Sequence, residues 1–99
     1  MAALPLVFAA LAIDDLDQIA LAIAVDSPRR ARTFVAELRA KCSVIAENPA
    51  AYPLREEFGA GVRLTMHGRY IIFHAIRDER VVIERILHGA RDLESINLG

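Results

Sequence analysis

Between Ile13 and Ile45 the apolar residues recur every three or four positions, and beyond Pro53 they recur every second one. A chain that changes period once, near its middle, is helical in its first half and forms a sheet in its second. Ile13, Leu16, Ile19, Ala20 and Ile23 fall on one face, which predicts a first helix over about Asp14 to Val25. Asp14, Asp15 and Asp17 are then expected near the positive end of its dipole. Asp26-Ser27-Pro28 resets the chain, because Asp26 or Ser27 can cap the free amides of a new helix and proline suits its first turn. Ala31, Phe34, Val35, Leu38, Cys42 and Ile45 form the stripe of this second helix, and Asn48-Pro49 stops it. Two helices joined by so short a link pack as an antiparallel hairpin.

After Pro53, Gly59 and Gly61 break the helical spacing, and Val62, Leu64 and Met66 alternate with Arg63, Thr65 and His67, as in a strand with one wet face. His67-Gly68 makes a tight turn. Arg69 to Ile76 is apolar on both sides, as a central strand is, and Arg77-Asp78-Glu79-Arg80 turns the chain into a third strand over Val81 to Leu87. Leu4 to Phe8 is expected as a further strand along the sheet, and Asp92 to Leu98 as a short closing helix or ordered tail. The expected fold is α+β: an N-terminal strand and an antiparallel helical hairpin packed on a small antiparallel β-sheet. With 99 residues there is room for one domain, spanning 1–99.

Several function classes are disfavoured at once. A formal charge of −1 gives no general basic field, so direct nucleic-acid binding is not expected. The apolar run from Leu4 to Ile13 contains Pro5, falls short of the roughly 20 residues of a membrane span, and has no Lys or Arg before it as a signal peptide would. A cytoplasmic protein without membrane association is expected. Cys42 is the one cysteine, and the three histidines have no metal-ligand spacing, so neither metal nor cofactor is expected. Cys42 reads as a small buried hydrophobe.

The chain nevertheless resembles a known family. Asp15-Leu16-Asp17-Gln18-Ile19, Asp26 to Phe34 and Asn48-Pro49 look like the helical hairpin of toxins of the RelE/ParE superfamily, on the ParE-like branch. Gly61-Val62-Arg63, Gly68-Arg69-Tyr70-Ile71-Ile72-Phe73 and Arg85-Ile86-Leu87-His88-Gly89-Ala90-Arg91-Asp92 are similar to that family's sheet in order and spacing. The resemblance implies the toxin of a type II toxin–antitoxin system, neutralised by a cognate antitoxin, ParD-like or a similar small DNA-binding protein. It also implies one of two activities: ParE members act on DNA gyrase, and RelE members cleave messenger RNA on the ribosome.

Residues divide the two. On this resemblance, the paired lysines of the RNase branch become Gly61 and Arg63, its central-strand arginine becomes Tyr70, and its late tyrosine becomes Asn97. The sole lysine, Lys41, lies on the second helix, and Tyr52 and Tyr70 fall outside the late position. An RNase reading would rest on Arg63, His88 and Arg91, with the imidazole trading protons. The alternative for His88 is a structural or partner-contacting role. Gyrase binding is the first expectation, with Arg69, Arg85, His88 and Arg91 as target-binding candidates; a family member that acts only as a binding module is a third. Arg85 and Asp92 have a plain reading as well, as a solvated or partly buried ion pair that braces the sheet against the tail. Leu16, Ile19, Ile23, Phe34 and Leu38 are first of all core, and also mark where an antitoxin segment would lie along the hairpin. Leu11, Leu21, Ala22 and Val25 add apolar surface off that stripe.

Overall fold

A computed structural model describes residues 4–92. The chain runs through β1 (Leu6–Phe8), α1 (Ala10–Ala24), α2 (Pro28–Glu47), β2 (Arg63–His67), β3 (Tyr70–Arg77), β4 (Arg80–His88) and the single turn α3 (Gly89–Asp92). Short 3-10 turns at Pro49–Ala51 and Glu56–Phe58 lead from the hairpin to the sheet. The sheet order is β1-β4-β3-β2. The three C-terminal strands are antiparallel, as expected, and β1 joins them in parallel, Leu6 beside Val81 and Phe8 beside Ile83, so the sheet is mixed.

The second helix begins where the sequence places it: Ser27 accepts a hydrogen bond from the Arg30 amide at 3.1 Å, Pro28 follows, and the helix ends at Glu47 before Asn48. The first starts four residues early, at Ala10, with no acid in its first turn. The reason lies in the strand before it. The Ala9 amide donates to the Ile83 carbonyl at 2.9 Å, closing β1, and the next residues can turn helical at once. Asp14, Asp15 and Asp17 therefore sit beyond the dipole's reach, which falls off within the first turn. Between β3 and β4, Asp78 and Glu79 take φ of 51° and 58°, the left-handed pair of a two-residue hairpin turn. The expected closing element over Asp92 to Leu98 lies, beyond Asp92, outside the described residues, and so does Asn97.

Both helices cover one face of the sheet, where Leu16, Leu38, Cys42 and Ile45 meet Ile72, Ile83 and Ile86. Strand alternation sends Ile71, Phe73 and Leu87 to the other face, where Val62, Phe58 and Leu64 cover them. This second cluster explains why β3 reads as apolar on both sides. The free edge of β2 is protected over part of its length: the Arg55 amide donates to the Val62 carbonyl at 2.7 Å, and the Leu64 amide to the Pro53 carbonyl at 3.2 Å.

The hairpin stripe is first of all core, as the sequence reading has it. Leu16, Ile19 and Leu38 are 2%, 5% and 0% exposed and are spent on the chain's own core. Only Ile23 and Phe34 reach its margin. Phe34 tilts against the rings of His67 and Tyr70 at 5.7 and 5.5 Å. Truncating Leu38 to alanine is accordingly expected to cost about 2–5 kcal/mol of folding stability. Urea melts would record that loss, and any loss of partner binding would follow unfolding.

Candidate functional site

The register of β4 shifts once. Phe73 faces Arg85 and His74 faces Ile83, which leaves Glu84 without a partner on β3. By this point β1 has ended, and the edge of β4 is met by α1. Asp15 supplies what the missing strand would have: its Oδ2 accepts from the Ile86 amide at 2.9 Å and from Arg85 Nε at 2.8 Å, while Oδ1 accepts from Arg85 Nη2 at 2.9 Å. The pair is mostly buried, with side chains 25% and 12% exposed. The hydrogen bond that Arg85 donates to Asp15 raises the Arg85 pKa further, against the cost of burial. Arg85 thus has the bracing role, with Asp15 on the first helix as its hydrogen-bonded partner and the charges of Asp92 and Asp14 adding to the field that holds it. The Asp92 carboxylate also accepts from the His88 amide at 3.1 Å.

Past the clamp, the end of β4 separates two clefts. On the outer face a shallow cleft of ≈ 660 Å³ has a floor of Phe58, Leu64, Met66 and Ile71, with Arg55, Arg69 and His88 at its rim. Met66 is 58% exposed there. Arg55 is occupied by Glu57 at 2.7 Å, whereas Arg69 forms no ion pair among the described residues. Gly89 permits this arrangement: its amide donates to the Arg69 carbonyl at 2.9 Å, and a Cβ there would stand 3.3 Å from Ile71 Cδ1. On the other side a cleft of ≈ 210 Å³ lies between α1 and β4, lined by Asp15, Gln18, Tyr70, His88, Arg91 and Asp92. His88 borders both. Its ring meets Tyr70 edge-on at 5.4 Å, and its Nδ1 accepts from the Arg91 amide at 3.3 Å.

Of the sequence candidates, then, Arg69 and His88 share one cleft, and His88 and Arg91 share the other. Arg63 joins neither. It stands opposite His74, four residues from the rung on which His67, Tyr70 and His88 align, about 13 Å along the strand. Its Nη1 donates to the Tyr52 carbonyl at 2.7 Å. The set Arg63, His88 and Arg91 is not assembled, although general acid–base work needs groups within about 3 Å of the reacting atoms. Among the described residues no three His, Cys, Asp or Glu side chains converge to hold a metal. Burial pushes the Cys42 thiol up to about 12, so it stays protonated, as a buried hydrophobe would.

One titratable group escaped sequence reasoning. His74 is fully buried on the helix-facing side of β3; its Nε2 donates to the Pro49 carbonyl at 3.0 Å and its ring meets Tyr52 edge-on at 5.5 Å. Its Nδ1 has no partner, so the ring is held neutral, and burial lowers its pKa. The signal was strand parity: His74 shares a face with Tyr70 and Ile72.

Comparison with known proteins agrees with this architecture. Residues 6–93 match the family model for the ParE toxin of type II toxin–antitoxin systems, parDE. Among solved structures the chain is similar to one from the chromosomal ParDE toxin–antitoxin system of P. aeruginosa, with a TM-score of 0.76 and 19% identity over 86% of this chain and 95% of that one. It is also similar to a chain of the RelBE2 toxin–antitoxin complex of Mycobacterium tuberculosis, with a TM-score of 0.65 and 24% identity over 88% and 99%. No curated protein matches it in sequence.

The lowered pKa of His74 carries a signed expectation. As pH falls below the ordinary value of 6.5, the unfolded chain takes up a proton that the folded chain refuses, so stability declines until the folded pKa is passed. Urea melts at about pH 7.5 and about pH 5 are expected to show a smaller difference for His74→Phe than for the parent.

Proposed function

The chain belongs to the ParE toxin family, and from that membership we propose that it arrests growth by binding its target, DNA gyrase, through the outer cleft beside Arg69, and not by cutting RNA. The observation that carries this reading is the separation of Arg63 from His88 and Arg91. A ribonuclease needs base, acid and phosphate-stabilising charge around one ribose, and here the arginine that would complete the set is bound to a carbonyl at the other end of the sheet. The outer cleft has a different composition. An exposed methionine, apolar neighbours and an arginine that forms no ion pair among the described residues are the residue types enriched where proteins bind proteins.

A cognate antitoxin, ParD-like or a similar small DNA-binding protein, completes the reading, and the proteins of similar fold come from toxin–antitoxin systems. Ile23 and Phe34, the two candidates left at the surface, line a recess with Arg30, Gly68, Arg69 and Tyr70. An antitoxin segment laid there would cover Arg69 and so block the cleft. Action on gyrase implies a cytoplasmic protein with no cofactor.

Induction of the chain without antitoxin, with DNA supercoiling, the damage response and transcript integrity followed together, tests the reading. Gyrase inhibition with intact transcripts is expected, and Met66→Asp or Arg69→Glu should weaken it about tenfold or more while leaving the thermal melt in place. Transcript cleavage that His88→Ala abolishes would overturn the proposal in favour of a ribonuclease. Growth without arrest would point to a member that acts only as a binding module.

A further inference from the structure

The turn α3 hangs on hydrogen bonds to one histidine. It is a single helical turn, Gly89–Asp92, with no buried residue, and so short a helix does not persist on its own propensity. His88, the residue before it, accepts the Arg91 amide on its Nδ1 at 3.3 Å, and the His88 amide donates in return to the Asp92 carboxylate at 3.1 Å. This is the arrangement of a capping box, in which the side chain before a helix takes a free amide of the first turn and a side chain of that turn takes an amide back. Serine or threonine commonly fills the first role. Here an imidazole fills it, and an imidazole that accepts at Nδ1 must carry its hydrogen on Nε2 and be neutral.

We propose that His88 is a proton-sensitive latch: neutral, it closes α3 against the end of β4, and protonated, it releases the turn. Once protonated, Nδ1 carries a hydrogen and faces the Arg91 N–H, donor against donor, and a positive charge stands at the helix end where the dipole disfavours one. The surrounding charges act in the same place. Arg55 and Arg69 share the outer cleft with His88, and Arg91 shares the cleft between α1 and β4. Asp15 from α1 and Asp92 from α3 face the second cleft too, and both already act on Arg85. Tyr70 meets the ring edge-on from β3. Gly89 is the pivot, because its amide is held by the Arg69 carbonyl at 2.9 Å and not by the cap. The turn supplies Gly89 and Ala90 to the outer cleft and Arg91 and Asp92 to the other, so its release reshapes both. The latch is a property of the fold and stands whether or not gyrase is the target.

Solution NMR of the full chain from about pH 7.5 to about pH 5, the range in which histidine changes charge, tests it. At the upper end the nitrogen-15 shifts of the His88 ring are expected to report the Nε2–H tautomer. As the ring titrates, the exchange protection of the Arg91 amide should fall about tenfold, with the same midpoint as the ring itself. His88→Asn, whose side-chain oxygen caps without titrating, should keep that protection at both ends of the range, and His88→Ala should lack it throughout. The asparagine variant retains His74, so a fall caused by protonation of that buried ring would persist in it, which separates the two causes. Amides of β3 report that each variant is folded. An Nδ1–H tautomer, an Arg91 amide indifferent to the charge of His88, or the same fall in His88→Asn as in the parent would each overturn the proposal.

Discussion

The carboxylate of Asp15 joins the two layers of this protein. It reaches from α1 across a separation of 70 residues to grip Arg85 with both oxygens and takes the Ile86 amide as well. It does so where β1 has ended and the register of β4 slips past Glu84. Without it, a backbone N–H and a guanidinium would both stand largely buried and unsatisfied, the costly case for polar groups. The three residues that follow each have separate work. Ile86 enters the helix-side core, Leu87 enters the outer cluster, and His88 forms the wall shared by two clefts.

The same clamp divides the charged residues by role. Arg85 is committed to structure, Arg63 is committed to the Tyr52 carbonyl, and Arg55 is engaged by Glu57. Arg69 forms no ion pair among the described residues and is held beside an apolar floor by the hydrogen bond of the Gly89 amide to its carbonyl. A surface with an arginine that forms no ion pair among the described residues and an exposed methionine suits recognition of another protein better than proton transfer.

Much of this fold was legible in local patterns. Ser27-Pro28 fixed the start of α2 through a side-chain cap, Asn48-Pro49 its end, and alternation from Val62 to Leu87 located the three antiparallel strands. What escaped was non-local. The start of α1 depends on Ala9 bonding to Ile83, and no periodicity near Asp14 reveals that bond. Arg85 braces the sheet, yet its hydrogen-bonded partner Asp15 lies 70 residues away on the first helix, and no local pattern reveals that pairing. Leu16, Ile19 and Leu38 carry an identical pattern whether a stripe is core or interface, and only the packed sheet decides it. His74 was hidden among apolar neighbours, and its neutral ring depends on a carbonyl 25 residues away.

A double-mutant cycle on Asp15 and Arg85 tests the central claim most directly. Unfolding free energies of Asp15→Ala, Arg85→Ala and the double variant are to be compared with that of the parent. The clamp predicts a coupling of about 2–3 kcal/mol, with the double variant losing less than the two single losses combined, since removing both partners leaves no buried charge behind. Losses that add to within about 0.5 kcal/mol would contradict it, because independent sites behave that way.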